Sequence, residues 1–289
     1  MQVSGTTAVV GVFGDPVAHS LSPAMHNRAF AALGLDFVYV PFHVRGERLG
    51  EAVAAVRALN LVGVNVTVPH KVRVMQFLDE IDAEARMIGA VNTIVHRSGR
   101  LVGYNTDGRG FVRSLERQAG RTPRGARVVI FGAGGAAQAI ACSMARAGAA
   151  SVAIANRTRE KAEALARLVA AEAPAAVLPA APDDPELRRA LGAADIVVQA
   201  TSVGMHPHHE APPPLPVEAV RPGALVCDIV YNPRVTRLIE AARERGCETL
   251  TGEGMLVYQG AIAFELWTGQ KAPEELMLAT LDELLSARE

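Results

Sequence analysis

Short runs of β-branched and aromatic residues alternate along this chain with longer stretches in which Ala, Leu and Arg recur at helical spacing. That is the pattern of a parallel sheet flanked by helices. In the first third, AVVGVFG (8–14), FVYVPFHV (37–44), VGVNVTVP (62–69) and the segment 91–105 read as strands. Between them, 22–34 and 47–60 read as helices, the first with Ser22 placed to cap it and Pro23 in its opening turn. A second α/β unit opens at 127–158 as strand, glycine turn, helix and strand, and the alternation runs on through 194–205 and 223–233 to a helix at 235–247. The last 35 residues turn helical again, with Met255, Tyr258, Phe264 and Trp267 at core spacing and Gln259 interrupting the apolar stripe. The proline-dense stretch 206–216 reads as a surface loop.

A length of 289 residues exceeds what one hydrophobic core usually serves, so two domains are expected. The formal charge of -1 argues against a nucleic-acid partner, whose binding domains carry concentrated basic surface, and favours a small molecule. Cys142, Cys227 and Cys247 are widely spaced and form no CxxC pair, which suggests reduced core thiols in a cytosolic protein. The N-terminal residues lack the charged and apolar regions of an export signal, and no apolar run reaches membrane-spanning length. A cytoplasmic protein without a membrane partner is the expectation.

Candidate chemistry begins at NVTVPHK (65–71). Arginine supplies all but three of the 29 basic residues, yet this stretch ends in Lys71. A lysine amine can release and retake a proton when its surroundings lower its pKa, whereas arginine stays charged. The turn GAGGAA (132–137) fits the dinucleotide fingerprint, with Gly132 for the tight turn, Gly134 for close approach of a pyrophosphate and Ala137 for helix packing. About twenty residues on, an NAD site wants a carboxylate for the ribose, but the chain has NRTREK, from Asn156 through Arg157 and Thr158 to Lys161. Those donors suit the 2′-phosphate of NADP.

HSLSP (19–23) sets Ser20 and Ser22 just ahead of a helix N-terminus, where either a cap or a carboxylate ligand would fit. GAVNT (89–93) and GYNTDG (103–108) put small polar side chains, Asp107 among them, at strand ends. If Lys71 and Asp107 meet, the pair can pass a proton; a lone Asp beside glycine is otherwise a turn residue. His206, His208, His209 and Glu210 lie in a proline-rich loop without a rigid frame, so no metal site is assigned to them.

Taken in order, HSLSP, NVTVPHK, GAVNT, GYNTDG, GAGGAA, NRT, QATSVGM, DIVYNP and GEGMLVYQGA resemble the motifs of shikimate dehydrogenase over essentially the whole chain. The resemblance implies an α/β fold in which an N-terminal substrate domain, completed by C-terminal helices (1–107 and 254–289), receives an inserted Rossmann NADP-binding domain (108–253). It implies NADPH-dependent reduction of 3-dehydroshikimate to shikimate, with Lys71 and Asp107 as the catalytic pair. By position, Ser20 and Ser22 correspond to hydroxyls holding the ring carboxylate. Thr67, Asn92, Asp107 and Gln259 match contacts to the ring hydroxyls, and Tyr231 borders substrate. Gly132, Ala133, Gly134, Gly135 and Ala136 fall at the cofactor phosphates, while Ile229, Gly252 and Met255 fall near the nicotinamide. Which of Lys71 and Asp107 is the formal acid stays open, as does the choice of monomer or homodimer. Gln199 stands where the family often has Asn. Relatives that oxidise quinate with NAD share the framework, and a non-catalytic NADP-binding sensor is the alternative of another class; the two serines and the acid-free NRT favour shikimate and NADP.

Overall fold

The computed structural model describes residues 3–287, and its first strand, β1 (Ala8–Gly14), lies between β2 (Phe37–His43) and β3 (Gly63–Val66), parallel to both. The helices α1 (Ser22–Ala32) and α2 (Leu49–Ala58) make these parallel crossovers, as periodicity predicts. Beyond β3 the sheet changes character. β4 (Glu80–Ile81) and α3 (Ala83–Ile88) precede β5 (Thr93–Arg97), which runs antiparallel to β3, and β6 (Arg100–Tyr104), antiparallel to β5. The sheet order is β2-β1-β3-β5-β6-β4.

The expectation of a parallel sheet is therefore corrected to a mixed one in this part of the chain. The reason is local: Ser98 (φ 49) and Gly99 (φ 79) close a two-residue turn, and a link that short joins only antiparallel strands. A second correction concerns Ser22. The cap position of α1 is Leu21, and Ser22 is the first helical residue, its backbone N–H donating to Ser20 Oγ at 3.3 Å. β3 also ends sooner than expected, because Thr67 to His70 form a turn closed by His70 N donating to Thr67 O.

From α4 (Asp107–Gln118) onward strands and helices alternate except between β10 and β11, which no α-helix separates: β7 (Arg127–Phe131), α5 (Gly135–Arg146), β8 (Ser151–Ala155), α6 (Arg159–Glu172), β9 (Ala176–Ala180), α7 (Pro185–Ala193), β10 (Ile196–Gln199), β11 (Leu225–Asp228), α8 (Arg237–Glu244) and β12 (Glu248–Leu250). These six strands are all parallel in the order β12-β11-β10-β7-β8-β9. This is the doubly wound dinucleotide-binding arrangement, whose strand order reverses between β7 and β10. Two helices end the fold, α9 (Glu253–Thr268) and α10 (Glu274–Ser286).

The chain groups into two compact units. One comprises the residues up to Thr106 and from Val257 onward; the other runs from Asp107 to Leu256. The first buries Phe13, Leu49, Val64 and Ile94 on one side of its sheet. On the other, His26, Phe30, Tyr39, Phe264 and Trp267 stack against one another, and Trp267 Nε1 donates to Ile94 O at 3.0 Å. The second unit's core is built from strand residues such as Val129, Val197 and Val226 with Leu187, Leu191 and Leu238 from its helices. Among the described residues no helix is long and apolar enough to cross a membrane.

Candidate active site

In the first unit a chain of polar side chains, most of them buried, runs across the sheet from β2 through β3 to the start of β5 and the residues after β6. The phenol of Tyr39, 1 % exposed, donates to Asn65 Oδ1 at 2.8 Å and also hydrogen-bonds the Ser22 side chain. Asn65 Nδ2 donates to Thr93 Oγ1 at 3.0 Å, and Thr93 Oγ1 donates to Asn92 Oδ1 at 3.0 Å. Asn92 Oδ1 also accepts the Thr106 backbone N–H at 2.8 Å, while Asn92 Nδ2 donates to Thr106 Oγ1 at 2.9 Å and to Gln259 Oε1 at 3.4 Å. Burial of so many polar groups is tolerable because each is paired. Ser22, Asn92 and Gln259, three residues expected at one ligand, thus belong to one connected cluster. The rest of the relay, Tyr39, Asn65, Thr93 and Thr106, was not singled out from sequence.

Lys71 sits on the turn after β3. Thr67 N donates to Phe13 O and His70 N to Thr67 O, both at 2.9 Å, and the ring of His70, 1 % exposed, reaches Val44 O at 2.6 Å through Nε2. Lys71 O accepts from Val91 N at 2.8 Å, next to Asn92. The turn that carries the amine is thereby held on both sides, with Val68 and Val72 exposed around it.

In the second unit Asp107 is the first residue of α4 and is buried, a helical start rather than an isolated turn residue. Gly132 ends β7 with φ +121, and a Cβ there would lie 2.8 Å from Ala200 O, so only glycine fits this turn. A Cβ on Gly134 or Gly135 would meet nothing within 4 Å, and α5 begins there without a side-chain cap. Open space over uncapped N–H groups at a helix start, at the strand-order reversal, fits a pyrophosphate. At the end of β8, Asn156 Nδ2 donates to Thr158 O at 2.9 Å, which leaves Arg157 exposed and in no ion pair among the described residues. Lys161 follows on the exposed start of α6. Ile229, Gly252 and Met255 line one pocket with Phe111, Ser114 and Asp228. Tyr231 follows on the partly buried turn after β11.

His206, His208 and His209 are exposed, and Glu210 pairs with Arg237. Cys142, Cys227 and Cys247 are buried and in no disulfide among the described residues, as expected of core thiols, and burial pushes the Cys227 thiol up.

Models of three domain families match the chain: the shikimate dehydrogenase substrate binding domain over residues 12–94, shikimate / quinate 5-dehydrogenase over 114–210, and the shikimate 5'-dehydrogenase C-terminal domain over 252–281. The NADP(+) shikimate dehydrogenase of Desulforamulus reducens is 49% identical over 278 residues, 96% of this chain and 95% of the relative. The chain belongs to the shikimate dehydrogenase family. Among solved structures of that family, a shikimate dehydrogenase in complex with NADP+ shares 41% identity at a TM-score of 0.91, covering 98% of each chain. The shikimate 5-dehydrogenase of Listeria monocytogenes, in complex with shikimate and NAD, shares 40% identity at the same TM-score of 0.91, covering 99% of this chain and 98% of its own. Within the family frame, the mixed sheet carries the amide and hydroxyl cluster and the all-parallel sheet carries the glycine turn, which is the α/β division that the motif order implied.

Proposed function

We propose that this chain reduces 3-dehydroshikimate to shikimate with NADPH, reversibly, as a step of aromatic amino-acid biosynthesis. The observation that carries the reading is the buried relay from Ser22 to Asn92 and Gln259, beside the braced turn of Lys71. A polyhydroxylated ring acid needs a carboxylate anchor at one end and paired donors and acceptors for its hydroxyls at the other. Ser20 and Ser22 serve the carboxylate; Thr67, Asn92, Asp107 and Gln259 serve the hydroxyls, with Tyr231 at the ring's edge.

When bound, the reduced nicotinamide supplies a hydride to the C3 carbonyl carbon. The carbonyl oxygen then becomes an alkoxide, and Lys71 delivers the proton that neutralises it, with Asp107 as its carboxylate partner. The turn from Gly132 to Ala136 holds the pyrophosphate. Asn156, Arg157, Thr158 and Lys161 hold the 2′-phosphate, and Ile229, Gly252 and Met255 face the nicotinamide. The reading includes a cytoplasmic location, supported by three buried thiols that form no disulfide among the described residues.

The test is NADP reduction with shikimate, followed at the nicotinamide absorbance band, in the wild type and in Lys71→Ala. Loss of a positioned acid or base costs about 10²- to 10⁴-fold in kcat. No wild-type turnover would overturn the reading, and a Lys71→Ala enzyme of near-normal kcat would remove the lysine from it. A second reading, quinate or shikimate oxidation with NAD, is favoured by the NAD of the Listeria relative. A higher kcat/KM with NAD than with NADP would select it.

A further inference from the structure

β11 ends in a buried carboxylate that the chemistry above does not use. Asp228 is 2 % exposed, and its two oxygens collect donors from three separate stretches of the second unit. Oδ1 accepts the backbone N–H of Val230 at 3.0 Å and the Gln199 Nε2 amide, from the end of β10, at 3.3 Å. Oδ2 accepts the Thr236 hydroxyl at 2.7 Å, and that hydroxyl oxygen in turn caps α8 by accepting from Ile239 N at 3.4 Å. Gln199 extends the tie into the next loop, donating to Val203 O at 3.1 Å, and its own backbone carbonyl accepts from Ile229 N at 3.1 Å.

Burying a carboxylate at the apolar end of a sheet is costly, and the donors gathered on its two oxygens offset that cost. Burial raises the pKa of Asp228 to about 6. What the bonds fix is the turn 229–231, which bears Ile229 in the pocket with Gly252 and Met255 and then Tyr231. Both residues lie on the segment between β11, which stops at Asp228, and α8, which starts at Arg237.

We propose that Asp228 is a positioning residue for hydride transfer: by gathering Val230, Gln199 and Thr236 it sets the turn that aims Ile229 and Tyr231 at the reacting rings. The inference rests on the NADPH and shikimate reading given above. It separates two properties of the cofactor site. The phosphate contacts at 132–136 and 156–158 lie on other turns, so cofactor affinity stays while the geometry of the reacting end is lost.

The experiment compares wild type, Asp228→Ala, Asp228→Asn and Thr236→Val in kcat, in the dissociation constant for NADPH by calorimetry, and in the primary isotope effect with NADPH deuterated at C4. Asp228→Ala is expected to lose tenfold or more in kcat, to bind NADPH within threefold of wild type, and to show a larger isotope effect because hydride transfer has become slower. Asp228→Asn keeps an acceptor for Val230 and recovers most of the loss. Thr236→Val, which removes one tie, falls between and carries the test if Asp228→Ala does not fold. A kcat within threefold and an unchanged isotope effect in every folded variant would overturn the proposal, as would loss of NADPH affinity in step with kcat. Absence of shikimate turnover in the wild type would remove the substrate reading and this inference together, whereas an active wild type with indifferent variants removes this inference alone.

Discussion

Two residues make the chemical reading testable one atom at a time. An arginine in place of Lys71 would keep the positive charge and most of the reach, but a guanidinium does not surrender its proton in a protein. If the amine is there for proton transfer, Lys71→Arg loses about as much kcat as Lys71→Ala; if it only anchors a substrate oxygen, the arginine variant retains much of the activity. Steady-state kinetics on the two variants side by side decides between them. Arg157 is the equivalent case on the cofactor side. It is exposed and free of ion pairs among the described residues, so its removal disturbs no packing. A charged hydrogen bond to a phosphate is worth about 1.5–3 kcal/mol. Arg157→Ala should therefore lower kcat/KM for NADPH about 10- to 100-fold and leave the value for NADH nearly unchanged, and an equal fall for both would mean that the arginine does not read the 2′-phosphate.

At the scale of elements, β3 is the unusual strand: all four of its residues are buried, yet one of them is Asn65. Replacing it with alanine would take the acceptor from the Tyr39 phenol and a donor from Thr93, in an interior where each broken pairing costs about 1–3 kcal/mol. Asn65→Ala is expected to lose about 2–4 kcal/mol in urea unfolding and to weaken shikimate binding by freeing Asn92; an unchanged urea midpoint would show that the relay does not matter to stability. The same strand marks what sequence can reveal. The apolar alternation located β1, β2, α5, β7, β8, β11 and the terminal helices, because packing against a sheet demands that periodicity. Gly132 was legible because a strand-to-helix turn at that spacing has one steric solution. Local signals failed where a distant partner decides. Ser22 reads locally as a cap or a carboxylate ligand, but its hydroxyl bonds Tyr39 on β2. The parallel expectation failed at β5 and β6 because Ser98-Gly99 is a hairpin turn, a signal present in the sequence and outweighed by the alternation around it. Asn65 and Asp228 were visible as polar residues within or closing apolar runs, and only the cross-strand partners gave them a role.

Across the whole molecule, acid should act on the two units in opposite directions. His26 is fully buried in the first unit, stacked 4.5 Å from Tyr39, and among the described residues neither ring nitrogen has a hydrogen-bond partner. Burial lowers its pKa to about 3. An unfolded histidine titrates near 6.5, so below that pH the unfolded chain binds a proton that the folded one refuses, and stability falls as pH falls. The slope is about 1.4 kcal/mol per pH unit, or roughly 2 kcal/mol between pH 6.5 and 5. Asp228, in the second unit, is raised to about 6, above its unfolded value, so there the folded state takes up the proton first and stability rises as pH falls from 6 towards 4. Asp195, held down to about 2 chiefly by its hydrogen bond from Arg127, begins to subtract only below pH 4. The sequence supplies a separate reporter for each unit. Trp267 is the chain's one tryptophan and lies 5.6 Å from His26, while all three cysteines are buried between residues 107 and 256. Tryptophan fluorescence should therefore melt about 4–8 °C lower at pH 5 than at pH 7. Thiol exposure, read by labelling after a jump to one fixed pH, should show no such fall. His26→Phe, which keeps the ring stack and has no proton to bind, should abolish the tryptophan shift; a shift that survives in that variant would assign the acid sensitivity to another group.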